Sequence, residues 1–171
     1  MTTEPLFDTG DFRKVCGHFP TGVTAVTART ADGRVAALTV NSFTSVSLEP
    51  AKVLFCLATT SSSYTVLQEA DRVAIHILGQ DQEDIARRFA TSGLAGTHKL
   101  EGTGWTPGPD GVPLIPGTPA VLAGRVDQAI SSGDHIIFLI DVDHVGLKES
   151  ATPALSFYRG RFASPATAVP E

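Results

Sequence analysis

Residues 23–29 and 35–40 are two runs rich in β-branched side chains, separated by Ala31-Asp32-Gly33. An Asp-Gly step between such runs is a strong hairpin signal. Two strands closed so tightly must run antiparallel, because a parallel pair needs a long crossover. The same rhythm continues along the chain. Residues 52–57 (KVLFCL) form an unbroken apolar run that reads as a strand buried on both faces. Val73, Ile75 and Ile77 alternate as a fourth strand, residues 120–130 and 135–145 read as two longer ones joined at 131–134, and residues 154–162 supply a last extended piece.

Helical signals are short and peripheral. Residues 8–19 carry Asp8 or Thr9 as a cap and Phe12, Val15, Cys16 and Phe19 on one face, with Pro20 as the stop. A brief helix is predicted over 63–70. Another over 81–90 has Asp81, Glu83 and Asp84 in its first turn and Arg87 and Arg88 near its last, which suits the macrodipole; Ile85 and Phe89 mark its inner face. Residues 91–117 hold seven of the sixteen glycines and four of the eleven prolines, and read as a long loop. No alternating strand–helix rhythm of a doubly wound sheet is present. The pattern therefore predicts a mainly β fold, an antiparallel barrel or sandwich of six or seven strands with short peripheral helices.

A chain of 171 residues is expected to form one domain, here 8–163, with tails at 1–7 and 164–171. A net charge of -5 and no cationic run longer than Arg87-Arg88 argue against nucleic acid as a partner. The polar start, with Glu4, Asp8 and Asp11, does not read as a signal peptide, and no apolar stretch approaches a membrane span. Cys16 and Cys56 lie far apart without CxxC spacing, so free thiols in a reducing cytoplasm are expected.

Familiar catalytic motifs are missing. There is no GxSxG elbow, HExxH or GxxxxGK[ST], and Gly102-Thr103-Gly104 lacks the preceding strand of a dinucleotide fingerprint. A metal site on the last long strand is not expected: His135 and Asp141 share a face but lie about 20 Å apart. Asp141 and Asp143 read instead as a solvated strand face, and His18 and His76 as packed residues.

Two hydroxyl-rich bends remain, residues 39–50 (TVNSFTSVSLEP) and 59–63 (TTSSS). Ser and Thr crowd ordinary turns for local reasons, yet such bends also offer the side-chain and backbone donors that a phosphate and a polar heterocycle need. His135 follows Gly133-Asp134 at the mouth of a turn. It is either a turn residue opening a strand or a histidine oriented by Asp134 into a pocket. Lys99 reads as a phosphate partner or as one more exposed lysine, and Phe89 as a cover for a planar ligand or as core.

Taken together and in order, these segments resemble the flavin reductase-like family, built on the flavin-binding split barrel. The chain is especially similar to the short NAD(P)H:flavin oxidoreductases that serve two-component monooxygenases. The matches run from Phe19-Pro20-Thr21-Gly22-Val23-Thr24 through 38–50, Ser61-x-Ser63, Ala86 with Phe89-Ala90, Lys99 and Gly133-Asp134-His135 to Tyr158, Gly160 and Phe162. The resemblance implies an antiparallel split β-barrel of Greek-key type. It implies that Thr39, Val40, Asn41, Ser42, Ser45, Val46 and Ser47 line the isoalloxazine and ribityl chain. Cys56, Ala58, Ser61 and Ser63 would sit near the ribityl-phosphate end, Lys99 would neutralise phosphate charge, and Phe89 would flank the cofactor. His135 would stand beside the nicotinamide as the catalytic residue, with Tyr158 and Phe162 as aromatic walls. Leu100 and Phe162 depart from the family pattern, in which an aromatic residue follows the lysine and a tyrosine stands near the end.

The implied activity is NAD(P)H-dependent reduction of FMN, with FAD as the alternative, and NADH or NADPH as co-substrate. Reduced flavin would diffuse to a separate oxygenase component, and the protein would act as a homodimer. A non-catalytic flavin carrier and a pyridoxine-phosphate oxidase-like flavoprotein are the competing readings. The absence of a dense arginine cluster leans toward NADH.

Overall fold

The computed structural model describes residues 7–148 and 152–164. The tails expected at 1–7 and 164–171 fall, apart from Phe7 and Ser164, outside the described residues. The chain begins with α1 (Thr9–Cys16), β1 (Thr21–Gly22), β2 (Thr24–Arg29), β3 (Val35–Val40), β4 (Thr44–Leu48) and β5 (Ala51–Ala58). It continues with α2 (Tyr64–Glu69), β6 (Arg72–Ile77), α3 (Glu83–Ala90), α4 (Gly96–Leu100), β7 (Thr106–Pro107) and β8 (Pro113–Leu114). The last elements are β9 (Ala120–Ser132), β10 (His135–Leu147), β11 (Ser156–Tyr158) and β12 (Arg161–Ala163).

The predicted hairpin is present: β2 and β3 pair antiparallel from Thr24↔Val40 to Arg29↔Val35, and Gly33 takes φ +91 in the turn. Seven strands form one antiparallel sheet in the order β3-β2-β6-β9-β10-β5-β4. Hydrogen bonding does not close this sheet into a ring, so β3 and β4 are its two edges. A three-stranded sheet, β1-β11-β12, stands beside it.

The main core packs Phe55, Phe138, Leu67, Ile75 and Val26 together, with the two phenylalanine rings stacked at 5.3 Å between centroids. Burying each such side chain contributes about 1.5–3 kcal/mol. A second cluster, including Val23, Leu78, Phe89, Leu100 and Leu155, holds α3 and α4 against the sheet.

Four expectations need correction. β5 is not buried on both faces: Val53, Phe55 and Leu57 turn inward while Lys52, Leu54 and Cys56 are only partly covered, the alternation of a strand with one core face. The stretch 91–117 is not a loop but a folded excursion containing α4, a short helical turn at Pro109–Gly111 and the β7/β8 pair. Helix α1 is capped by Asp8, which accepts from the Asp11 amide at 2.7 Å, yet it buries nothing. Phe12, Val15 and Phe19 stay 56–75% exposed, because an apolar stripe marks a face without specifying what covers it. Finally, Asp141 and Asp143 are not merely solvated: Asp141 pairs with Lys52, and Asp143 takes the Arg72 guanidinium at 2.7 and 2.6 Å.

Of the two histidines read as packed, His18 is exposed, because it follows the uncovered helix α1, whereas His76 on β6 is fully buried. Nδ1 lies 3.0 Å from the Ala25 carbonyl and Nε2 accepts the Ile115 amide at 3.1 Å, an arrangement only the neutral ring satisfies. Burial lowers its pKa from 6.5 to about 4. Above pH 6.5 the ring is neutral folded or unfolded and adds no pH dependence. As pH falls from there toward 4, only the unfolded chain takes up the proton. Stability should then decline by roughly 3 kcal/mol in all, a loss that a His76→Gln variant, followed by urea unfolding across this range, should not show.

Candidate functional site

Strand pairing brings the two hydroxyl-rich bends together. His135, the first residue of β10, stands opposite Ala58, the last of β5. Beyond them, Thr59 ties the β5–α2 bend to the β9–β10 turn: its amide and hydroxyl both donate to the Asp134 carbonyl, at 3.0 and 3.2 Å. A cavity of about 590 Å³ opens here. One wall is the end of β3 with Thr39, Val40, Asn41 and Ser42; the next is Cys56 and Ala58 of β5 with Thr60, Ser61 and Ser62. The end of α3 and the turn after it (Phe89 to Gly93), Lys99 of α4 and His135 complete it.

Lys99 is the most unusual of these groups. It is 3% exposed, and its ammonium donates to the Phe89 carbonyl at 2.7 Å. No carboxylate among the described residues pairs with it, and burial pulls its pKa below the ordinary lysine value. A buried cation in this state favours an anion in the adjoining cavity. Gly96 lets α4 approach closely enough to place it: a Cβ there would sit 2.2 Å from the Val35 carbonyl oxygen of β3.

Not every hydroxyl on the wall is available to a ligand. Thr39 donates to the Ala86 carbonyl at 2.7 Å, anchoring α3 to β3. The Ser42 hydroxyl accepts the Cys56 amide at 2.9 Å and donates to the Cys56 carbonyl at 3.3 Å. Ser42 falls opposite Cys56 in the β4/β5 register, so its side chain adds a rung where the backbone ladder has stopped. Ser42→Ala should destabilise the fold by about 1–3 kcal/mol by stranding that amide, measurable as a lowered urea midpoint, whereas Ser42→Thr should retain most of the stability.

The second bend is freer. Ser61 accepts the Ser63 amide at 3.2 Å and keeps its own proton to donate, while the Thr60 and Ser62 amides have no acceptor among the described residues. His135 is exposed, with Nδ1 2.7 Å from the Asp134 carboxylate. That hydrogen bond lowers the Asp134 pKa and fixes Nδ1 as the donor, leaving Nε2 without a partner among the described residues at the edge of the cavity that His135 lines.

Other residues singled out from the sequence do not line this cavity. Ser45, Val46 and Ser47 lie on the edge strand β4, with Val46 at a register shift. Ser63 is buried and borders a separate hollow beside Arg34 and Gly96. Tyr158 meets His18 edge-on at 6.2 Å, and Phe162 packs on Phe157 with the Arg87 guanidinium 4.9 Å above its ring. Thr60 and Ser62, part of the hydroxyl-rich bend at 59–63 but given no individual role, line the cavity, and so do Thr91, Ser92 and Gly93, which were read only as loop. A small polar cluster directly after α3 was the only signal of this last segment.

The chain is similar to known proteins over nearly its whole length. The flavin reductase like domain matches residues 16–166. An NADH:FMN oxidoreductase of Rhodococcus erythropolis is 38% identical over 159 residues, covering 91% of this chain and 81% of the relative. An FMN reductase (NADH) of Agrobacterium fabrum is 43% identical over 147 residues, covering 83% and 82%. The structure of the Streptomyces globisporus NADH:FAD oxidoreductase, solved in complex with NAD and FAD fragments, superposes with a TM-score of 0.86 at 34% identity, over 98% of this chain and 100% of that one. The chain therefore belongs to the flavin reductase-like family.

Proposed function

We propose that the protein reduces FMN or FAD at the expense of a pyridine nucleotide and releases the reduced flavin to a separate oxygenase component. The observation that carries this reading is Lys99, a buried ammonium without a carboxylate partner among the described residues, on the wall of a cavity that also offers free backbone donors. These residues fit a phosphate-bearing ligand. In this reading Lys99 holds the flavin phosphate, and the Thr60 and Ser62 amides with the Ser61 hydroxyl supply the neutral donors around it. Asn41, Val40 and Cys56 border the polar ring, and the buried Phe89 backs the wall as core. Ser45, Val46, Ser47 and Ser63 then act only through the strands that carry them.

Flavin and reduced nicotinamide supply the hydride chemistry between them when bound. The chain positions both and keeps the cleft open. Asp134 orients His135, whose Nε2 in this reading serves the nicotinamide side; Tyr158 and Phe162, on the neighbouring small sheet, are assigned to that side by the family resemblance alone. The names of the Rhodococcus and Agrobacterium relatives favour NADH and FMN.

The functional unit in this reading is residues 8–163, and the seven-stranded sheet serves as a split barrel of Greek-key type whose β4/β5 pairing Ser42 extends by one rung. Exposed apolar residues such as Leu48, Val145 and Leu147 support a homodimer. Light scattering should give twice the chain mass of 17.9 kDa, and the single mass would remove the dimer.

The activity is tested by following NADH oxidation with and without added FMN or FAD. Turnover should depend on added flavin. Flavin binding without turnover would make the protein a carrier, and turnover with no added flavin would make it an oxidase-like flavoprotein.

A further inference from the structure

Another hollow, of about 390 Å³, lies between the last turn of α1 and the β11–β12 turn. Arg13, Lys14, His18 and Arg159 line it, with Gly17 and Gly160. Four basic side chains converge here in a chain whose net charge is -5. We propose that this hollow binds the diphosphate of the pyridine dinucleotide. The inference rests on the flavin reductase reading and extends it to residues with no assigned role.

The hollow gathers two unpaired arginines in one place. Arg34, Arg72, Arg87 and Arg125 each hold a carboxylate and Arg88 bonds the Glu101 carbonyl, while Arg29 and Arg161, likewise without an ion pair among the described residues, lie outside the hollow. Arg13 and Arg159 make no ion pair or side-chain hydrogen bond among the described residues, and only Lys14 is engaged, with Asp11 at 2.8 Å. A guanidinium fork matches phosphate oxygens two at a time, so two unpaired forks facing one hollow suit a diphosphate.

The hollow is also built. The Arg159 amide donates to the Gly17 carbonyl at 2.9 Å, locking the turn to α1, and a Cβ at Gly17 would lie 3.7 Å from the Arg159 Cα. Arg159 itself takes φ 49, a left-handed conformation in which Gly or Asn would be more comfortable. The turn geometry therefore does not account for an arginine there; a role for its side chain does.

Position links it to the Lys99 cavity. Cys16 and Phe19, which flank Gly17 and His18 in sequence, line a mostly apolar cleft of about 580 Å³. Asn41 and Ser42 belong both to that cleft and to the Lys99 cavity, so those two spaces adjoin, and the chain segment 16–19 borders both the cleft and the basic hollow. Arg13 also acts on the Asp134 carboxylate that orients His135. A dinucleotide with its phosphates at Arg13 and Arg159 can reach into these spaces with its nicotinamide end. The same chemistry exists in the diphosphate of FAD, so the test separates the two sources.

An Arg13→Gln/Arg159→Asn double variant removes both forks while Asn tolerates the left-handed turn. With FMN as acceptor, its KM for NADH should rise about tenfold or more, while kcat at saturating NADH and the Kd for FMN stay close to wild type. In the wild type, a measurement independent of the variant's folding, inorganic pyrophosphate should inhibit competitively against NADH and not against FMN. An unchanged KM for NADH overturns the proposal. So does a weakened Kd for FAD beside an unchanged KM for NADH, which would give the hollow to the flavin adenylate. Wild-type protein that binds no FMN sinks the flavin reading and this inference with it, whereas normal FMN binding beside an unchanged KM sinks the inference alone.

Discussion

Replacing Lys99 with Met should weaken FMN binding by about 10- to 100-fold without a comparable loss of stability. The ammonium is buried, bonded only to the Phe89 carbonyl, and has no carboxylate partner among the described residues. Methionine fills a similar volume without the desolvated charge, so removing the cation relieves a cost even as one hydrogen bond is lost. Unfolding free energies of the two proteins should agree to within about 1 kcal/mol. A purely structural lysine predicts the reverse, with stability falling and FMN affinity little changed. The pH dependence has a definite sign. A bound phosphate favours the ammonium, so affinity is present below the Lys99 pKa of the free protein and lost as pH rises through it. Because burial holds that pKa below the usual lysine value, the alkaline loss should begin at lower pH than an exposed lysine would give, and Lys99→Met should abolish it.

Gly96→Ala should be the most damaging single-methyl change near the cavity. The added carbon would fall 2.2 Å from the Val35 carbonyl oxygen and 3.0 Å from the Ala36 Cα, both backbone atoms in the β3 strand. Neither can rotate away, so α4 must lift off the sheet. Overpacking of this kind costs about 1–3 kcal/mol, sometimes more. The displacement also carries Lys99, three residues along the same helix, and Leu100 from the second core cluster. Urea unfolding should show the stability loss, and any folded fraction should bind FMN more weakly than wild type. Normal stability and affinity would show that α4 has room to shift and that Gly96 does not set the position of Lys99.

Much of the sheet was legible because it depends on local signals. The Asp32-Gly33 hairpin and the Gly133-Asp134 turn each specify a pairing within a few residues, and the alternation at Val73, Ile75 and Ile77 marks a strand without naming its distant partners β2 and β9. What escaped depends on distant partners. The apolar stripe on α1 has the spacing of a buried face, but periodicity carries no information about whether another surface covers it. The stretch 91–117 conceals α4 and β7/β8 because elements of two to five residues give no periodic signal beneath so many glycines and prolines. At the site, the sequence showed that hydroxyls cluster but not which are spent on the fold. Thr39 and Ser42 bond to backbone from α3 and β5, whereas the bend at 59–63 retains free donors. The meaning of Lys99 likewise lies in its burial against Phe89, which becomes visible only when α3 and α4 are brought together.

The most direct test of the account compares the wild-type protein's affinity for FMN with that for riboflavin, which lacks the phosphate, by quenching of flavin fluorescence. A phosphate held by Lys99 predicts that FMN binds at least about tenfold more tightly, with the gap closing in Lys99→Met. Equal affinities in the wild type would contradict the claim that this cavity recognises flavin through its phosphate.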